Sequence, residues 1–136
     1  MRYTYFMEEL TKTEERIMHV LWKLKRAFVK DIIQHLNEEP APPYTTISSV
    51  VRILERKGYV SFKAYGKTYE YSPIISKLEY RAASLKRMLT QYFDNSPSAL
   101  VSFMVEEESL SPEEVQRLRQ LLDQASPNIT PPDDAR

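Results

Sequence analysis

Apolar side chains recur at helical spacing in three successive stretches of the N-terminal half of the chain. The first helix is predicted from Thr11 to Lys25, where Thr11 and Glu14 form a capping-box pair at its start. A shorter second helix follows Arg26-Ala27-Phe28, which could form a brief strand. The third runs from about Thr45 to Lys57, and Gly58 favours its end. The three apolar stripes are Ile17, Val20, Leu21 and Leu24, then Val29, Ile32, Ile33 and Leu36, then Ile47, Val50, Val51 and Leu54.

From Tyr59 the apolar spacing changes from helical to alternating, which is typical of strands. Val60, Phe62 and Ala64 fall on one face, Tyr65-Gly66-Lys67 predicts a turn, and Thr68 to Tyr71 returns as a second strand. Three helices followed by a hairpin predict a winged helix-turn-helix over residues 10–73, in a chain that is mainly α with a small β-hairpin. Residues 1–9 then form an N-terminal arm.

Beyond Pro73 the pattern is helical again, with Ser76, Ser96 and Ser111 as predicted caps. The helix after Ser76 repeats its apolar residues in alternating steps of four and three, which is coiled-coil spacing. We therefore expect a helical dimerisation region at residues 74–125, followed by a disordered tail at 126–136 that is rich in proline. The alternative is that this stripe packs within the chain. The expected seam residues are Leu78, Ala82, Leu85, Leu89, Tyr92, Val115, Leu118 and Leu122.

Composition narrows the classes of function. The chain has 136 residues and no cysteine, which excludes disulfides, thiolate metal sites and a cysteine nucleophile and fits a reducing compartment. We expect a cytoplasmic protein without membrane insertion. The net charge of zero conceals an asymmetry: Thr11 to Ser72 holds eleven basic and seven acidic residues, whereas Pro73 to Arg136 holds seven and ten. A basic N-terminal module with an acidic C-terminal one is typical of a nucleic-acid-binding head on a self-associating tail.

The third helix and the hairpin carry the side chains expected of a DNA-binding surface. Short hydroxyl side chains let a helix enter the major groove deeply, and an arginine can fork onto a guanine, for which Arg52 is the best candidate. In the hairpin, two lysines flank an aromatic residue near the loop, where they could hold phosphate. The same polarity is also typical of any solvated helix face. The candidate DNA-binding residues are Thr45, Ser48, Ser49, Arg52, Arg56, Lys63, Tyr65 and Lys67.

Three groups of residues resemble the penicillinase repressor family, the BlaI/MecI/CopY group. They are LTKTEE at 10–15 with Ile17-Met18 and Leu21-Trp22, YTTISSV at 44–50 with LERKG at 54–58, and KAYGKTY at 63–69. The resemblance extends over about residues 10–122 and adds Tyr44 and Thr46 to the predicted DNA-binding residues. It implies a homodimeric repressor that binds double-stranded DNA at a palindromic operator through its winged helix and dimerises through its C-terminal helices.

The resemblance also implies a mode of release. In β-lactam-responsive members the repressor is cut between an Asn and a Phe in the dimerisation region, and the matching bond here is Ser102-Phe103. A regulatory membrane metalloprotease is then an expected partner, although serine in place of asparagine leaves the protease and its signal open. Copper-responsive members carry a C-terminal cysteine pair, which this chain lacks. The alternative hypothesis is a winged-helix protein–protein interaction module without sequence-specific DNA binding.

Other polar residues do not form a catalytic or metal-binding pattern. His19 and His35 are single helical histidines, and the acidic run Glu106 to Glu108 is typical of a solvated segment. We expect no enzyme activity, no cofactor and no bound metal. Trp22 is expected to pack in the core or at an interface.

Overall fold

The computed structural model describes residues 7–107 and 110–125. Most of the predicted N-terminal arm and the whole of the predicted tail lie outside the described residues. Three helices come first, a hairpin follows, and three further helices complete the described chain. The elements are α1 (Lys12–Leu24), β1 (Ala27–Phe28), α2 (Val29–Leu36), α3 (Tyr44–Arg56), β2 (Val60–Tyr65), β3 (Thr68–Pro73), α4 (Lys77–Tyr92), α5 (Pro97–Glu106) and α6 (Pro112–Ala125).

The predicted capping residues begin their helices. At α1 the Thr11 amide donates to Glu14 Oε1 at 2.8 Å, and the Glu14 amide donates to Thr11 Oγ1 at 3.1 Å. Ser76 and Glu79 form the same reciprocal pair at α4. At α5 the Ser96 hydroxyl accepts a hydrogen bond from the Ala99 amide, and at α6 the Ser111 hydroxyl accepts one from the Glu114 amide. Each of these local signals therefore specifies a helix start.

Gly58 ends α3 in a left-handed conformation, with φ of +85°. The Gly58 amide donates to the Glu55 carbonyl at 3.0 Å and the Tyr59 amide donates to the Leu54 carbonyl at 2.9 Å, which together form a Schellman motif. This turn leads the chain from α3 directly into β2.

The sheet has three antiparallel strands in the order β1-β3-β2. The predicted brief strand forms at Ala27–Phe28 and pairs with Tyr71 and Glu70 of β3. β2 and β3 pair from Val60 with Pro73 to Tyr65 with Thr68, so the hairpin loop consists of Gly66 and Lys67 alone. Gly66 has φ of +63°, and a glycine in that conformation is typical of the first position of a two-residue turn.

One hydrophobic core joins α1, α2, α3 and the sheet into a winged helix-turn-helix, as predicted. The apolar stripes of these helices face the core, as does the beginning of β2. Trp22 packs against its edge and donates its indole N–H to the Ile75 carbonyl at 2.8 Å. The largest fully buried side chains are Ile17, Met18, Leu21, Ile32, Val51, Leu54, Tyr59 and Val60.

The chain divides between Met88 and Leu89 into two compact units. The first part of α4 belongs to the N-terminal unit, where Tyr80 and Ala83 are buried. The Tyr80 hydroxyl donates to Glu15 at 2.6 Å, which ties α4 to α1. The predicted dimerisation region, residues 74–125, therefore begins within the N-terminal unit. No helix in the described part of the chain is long and apolar enough to cross a membrane.

Candidate nucleic-acid interface

Helix α3 presents a polar face to solvent because its apolar stripe is held in the core. Ile47, Val51 and Leu54 are buried, and Val50 packs partly against the same core. On the other side Ser48 is half-buried, and the remaining predicted DNA-binding residues of the helix are exposed. These exposed residues are Tyr44, Thr45, Thr46, Ser49, Arg52 and Arg56.

The hairpin β2–β3 forms, together with β1, the three-stranded sheet that we call the wing, and side chains along each strand point alternately to its two faces. The inner wing face consists of Ala27, Val60, Phe62, Ala64, Tyr69, Tyr71 and Pro73. The outer wing face consists of Phe28, Ser61, Lys63, Tyr65, Thr68, Glu70 and Ser72. Near the core the inner face is buried at Val60 and Tyr71, whereas Phe62 and Tyr69 farther along are exposed. The wing thus extends beyond the core on both faces.

A concave surface lies between α3 and the wing, and we call it the helix–wing cleft. One part of it is a cavity of about 190 Å³ that is lined by Arg52 and Ser48 from the helix and by Lys67 from the wing loop. A neighbouring cavity of about 430 Å³ extends it to the start of α2. The structure therefore brings Tyr44, Ser48, Arg52 and Lys67 together, although 23 positions separate Tyr44 from Lys67 in the sequence. The other cleft residues are Phe28, Val29, Lys30, Asp31, Thr68, Tyr69 and Tyr71.

The charges around the cleft are mixed. Burial raises the pKa of Tyr71, while the Arg52 guanidinium acts to lower it and the Glu55 carboxylate acts to raise it. Both α3 side chains are thus close enough to influence the same ring. The Asp31 carboxylate already accepts a hydrogen bond, at 3.0 Å, from the Phe28 amide at the start of α2. The cations Lys30, Arg52 and Lys67 line the cleft with one acid, Asp31.

Two predicted wing residues, Lys63 and Tyr65, lie on the outer face, and neither is among the residues that line the two cavities of the cleft. The Lys63 ammonium lies 5.3 Å from the centre of the Tyr65 ring, and Lys63 is paired across the strands with Glu70. The Tyr65 ring contacts Phe28 edge-on, with 5.8 Å between centroids. The sequence predicted a tyrosine flanked by two lysines. In the structure Tyr65 and Lys63 lie on the outer face, whereas Lys67 lies in the wing loop.

The sequence pattern did not predict several of the cleft residues. Tyr69 and Tyr71 enter through β3, and Lys30 enters through the start of α2. Strand alternation from Lys67 could have placed Tyr69 and Tyr71 on one face, but it carries no information about which face meets α3. Lys57, the residue that follows α3, does not line the cleft, and its ammonium is bound to the Glu14 carboxylate at 2.9 and 3.1 Å.

The predicted dimer seam is mostly exposed within a single chain. Leu78 is 67% exposed, Leu85 48% and Tyr92 74%, whereas the buried side of α4 is formed by Tyr80 and Ala83. Ala82 and Leu122 are exposed as well, and Leu89, Val115 and Leu118 are half-buried. Within a single chain the α4 part of this stripe is thus exposed to solvent, except at Leu89.

The bond predicted to be cut lies within α5. Ser102 and Phe103 are both exposed, and the Phe103 ring contacts Phe93 with 5.6 Å between centroids. This helix has ten residues and contributes no buried side chain.

No group of three potential metal ligands occurs within residues 7–107 and 110–125. His19 contacts the Trp22 ring edge-on at 5.3 Å, and His35 Nδ1 lies 3.0 Å from the Asp31 carbonyl oxygen. Glu108 of the acidic run lies outside the described residues. Both histidines are thus surface residues of the helices that carry them.

Comparison with known proteins identifies relatives over most of the chain. The family model described as penicillinase repressor matches residues 10–124. The methicillin resistance regulatory protein MecI of Staphylococcus aureus is 25% identical over 114 residues, which cover 84% of this chain and 93% of MecI. The penicillinase repressor of Bacillus licheniformis is 23% identical over 116 residues, or 85% and 91% of the two chains. The solved complex structure of hsRosR-S4 superposes with a TM-score of 0.53 and 15% identity, covering 93% of this chain and 98% of that one, which shows a shared fold.

Proposed function

Because the chain belongs to the penicillinase repressor family, we propose that it is a homodimeric transcriptional repressor that binds duplex DNA through its helix–wing cleft. Members of this family are DNA-binding transcriptional repressors and not enzymes. The observation that carries the proposal is the convergence of Ser48 and Arg52 of α3 with Lys67 of the wing loop on one concave surface. The proposed location is the cytoplasm.

In the proposed complex α3 enters the major groove, which is about 12 Å wide and admits one helix. Thr45, Ser48 and Ser49 are short enough to let the helix backbone approach the base edges closely. Arg52, one turn beyond Ser48, donates two hydrogen bonds to a guanine, while Lys67 and Lys63 neutralise phosphates. The helix then provides sequence preference and the wing provides position along the DNA.

The test is a titration of labelled operator duplex at several salt concentrations. Arg52→Ala should weaken binding to the preferred sequence by about 1 to 3 kcal/mol and relax the preference, as expected when a bidentate base contact is lost. Lys67→Ala and Lys63→Ala should weaken binding to all sequences and flatten the slope of log affinity against log salt by about 0.9 each. Lys23→Ala, an exposed cation of α1 outside the cleft, is the control and should leave the slope unchanged.

Three outcomes would change this assignment of roles. Equal weakening on all sequences would make Arg52 a phosphate contact. An unchanged slope for Lys63→Ala, together with a flattened slope for Lys67→Ala, would restrict the interface to the inner side of the wing. If the wild-type chain binds none of the operator-like duplexes, the alternative function, a winged-helix protein-interaction module, becomes the better account.

Dimerisation is proposed through the exposed apolar stripe of α4 together with Val115, Leu118 and Leu122 of α6. A two-fold dimer fits a palindromic operator whose half-sites lie about one helical turn, or a multiple of it, apart. Leu85→Asp and Leu89→Asp should produce monomers in sedimentation experiments, because an unpaired carboxylate in an apolar interface costs several kcal/mol. Since Leu85 is 48% exposed in the single chain, Leu85→Asp should leave the N-terminal unit folded. An unchanged dimer would place the seam elsewhere.

Release is proposed to occur by proteolysis at the Ser102-Phe103 bond in α5, with a membrane metalloprotease as the partner. The helix is short and both residues are exposed, so local opening of α5 could present the bond to a protease. Joining two winged helices raises affinity for a two-site operator by about 10² to 10⁴, and cutting forfeits that gain. The fragment from Met1 to Ser102 keeps α4 but lacks the α6 residues of the proposed seam, so it should be monomeric and bind at least tenfold more weakly. A fragment that stays a tight dimer would refute this mode of release.

A further inference from the structure

The inner wing face carries a stacked pair of aromatic rings that the core of the chain does not cover. The Phe62 and Tyr69 ring centroids lie 4.3 Å apart with their planes within 10°, and the two residues are 43% and 38% exposed. We propose that this pair packs against deoxyribose rings of duplex DNA beside the groove that receives α3, and so adds an apolar, salt-independent contribution to binding. The inference rests on the proposed DNA-binding function.

Packing in the core explains why neighbouring residues of the same face are apolar or aromatic, but it does not explain this pair. Val60 and Tyr71 are 1% and 3% exposed, because the base of the wing rests on the helices. Phe62 lies directly opposite Tyr71, and Tyr69 lies opposite Ala64, so the stacked rings meet diagonally across the hairpin. Stacking stabilises the wing, yet it leaves more than a third of each residue in contact with water. A contiguous exposed patch of two large aromatic residues is typical of a surface that contacts a partner.

The position of the pair points to the sugar–phosphate backbone as that partner. Tyr69 lines the helix–wing cleft together with Arg52 and Lys67, so the aromatic pair is continuous with the cations proposed to hold DNA. The seven residues of the inner wing face include no charged side chain. A DNA strand alternates phosphates with deoxyribose rings whose C–H groups are apolar. Cations placed beside an uncharged aromatic strip match that alternation, since the cations pair with phosphates and the rings cover the sugars between them.

The loss of a contact to deoxyribose should have different consequences from the loss of a contact to a phosphate or to a base edge. Contacts to phosphate release counterions and set the salt dependence, whereas contacts to base edges set the sequence preference. Deoxyribose carries neither a charge nor the identity of the base. Loss of the aromatic contact should therefore lower affinity by the same factor at every salt concentration and for every sequence.

The experiment measures operator affinity against salt for the full chain and for Phe62→Ser and Phe62→Leu. Phe62→Ser should weaken binding about fivefold to tenfold, the change expected when the exposed part of a phenylalanine loses an apolar partner. Phe62→Leu keeps apolar volume in the wing but not the flat ring, so it should lose less affinity than Phe62→Ser. Both salt slopes should equal that of the wild type. Leu24→Ser, at a partly buried residue of α1 outside the cleft, is the control for a general loss of stability and should bind normally while folded.

The outcomes separate this inference from the function on which it rests. Failure of the wild-type chain to bind duplex DNA would overturn the proposed function itself. Normal binding by both Phe62 variants, in a wild type that does bind, would overturn the sugar contact alone. The sugar contact would also be wrong if the loss varied with the base pair beside the wing. Because Phe62→Leu preserves most of the packing, it keeps the test decisive even if Phe62→Ser does not fold.

Discussion

Replacing Glu14 with glutamine should destabilise the N-terminal unit by a large fraction of its total stability. Glu14 is 4% exposed, and its carboxylate accepts from the Thr11 amide and from the Lys57 ammonium. The first bond starts α1, and the second joins that helix to the C-terminal end of α3, 43 residues away. Glutamine can still accept from the Thr11 amide, because a capping box works with Glu or Gln. The substitution therefore removes the ion pair and keeps the cap.

The size of the change in unfolding free energy depends on whether the remaining charged partner can be solvated once the ion pair is lost. Removing one partner of a fully buried pair costs about 3 to 5 kcal/mol, and a hydrogen bond to a charged group contributes about 1.5 to 3 kcal/mol. The Lys57 side chain is 21% exposed, so its ammonium can turn towards solvent once Glu14 is neutral. The lower range applies, and we expect Glu14→Gln to lower the free energy of unfolding by about 2 kcal/mol at pH 7. For a unit of this size the melting temperature should fall by about 8 to 16 °C.

The effect should depend on pH in a defined direction. Burial acts to raise the pKa of Glu14, but the Thr11 amide and the Lys57 ammonium bind the charged form and lower the pKa overall. A carboxyl group whose pKa is lower in the folded state stabilises the protein above its unfolded-state pKa, and this contribution disappears as the pH falls through the folded-state pKa. The difference between wild type and Glu14→Gln should therefore be full near neutral pH and shrink below about pH 4.5.

Urea unfolding followed by tryptophan fluorescence measures this difference directly. Trp22 is the single tryptophan of the chain and packs against the core of the N-terminal unit, so its signal reports that unit. Lys57→Met supplies the matched background. There Glu14→Gln should cost at least about 1 kcal/mol less, because the carboxylate has already lost its cation. An equal cost in the two backgrounds, or a cost below about 0.5 kcal/mol in the wild type, would refute the argument from the ion pair.

Gly58, Tyr59 and Glu55 each make a contribution that can be measured at a single residue. Gly58→Ala should destabilise the N-terminal unit by about 1 to 2 kcal/mol in urea unfolding, because φ is +85° while no atom within 4 Å obstructs a Cβ, so the cost is conformational alone. Burial, and after it the nearby Tyr80, raises the pKa of Tyr59 to about 12, so ultraviolet titration should show a tyrosine that ionises well above pH 10. Because this pKa is higher in the folded state, the contribution of Tyr59 to stability should be full below pH 10 and lost as the pH rises towards 12. Glu55→Gln should strengthen operator binding, more at low salt than at high salt, because it removes an acid close to Arg52 and Tyr71. Unchanged binding at low salt would place Glu55 outside the interface.

The sequence alone determined the elements and their ends, because those signals act within three or four residues. Thr11 with Glu14, Ser76 with Glu79, and Ser96 each satisfy amides of their own first turn, so the starts of α1, α4 and α5 could be predicted without knowing the fold. Gly58 likewise ends α3 through bonds to the turn before it. The apolar stripe of α3 then decided which side of that helix faces solvent, and hence that Arg52 is exposed.

Tertiary structure alone decided which of these elements meet and through which faces. Periodicity shows that Lys63 and Lys67 belong to a hairpin, but it cannot show that Lys67 joins Arg52 in the cleft while Lys63 lies on the outer face with Glu70 opposite. The same holds for Glu14, whose capping role is local and whose bond to Lys57 is not. Such contacts depend on how the helices pack against the sheet and on strand register, and a shift of one residue in register exchanges the two faces of a strand. That choice is made by the whole core at once, and no short segment of the chain contains it.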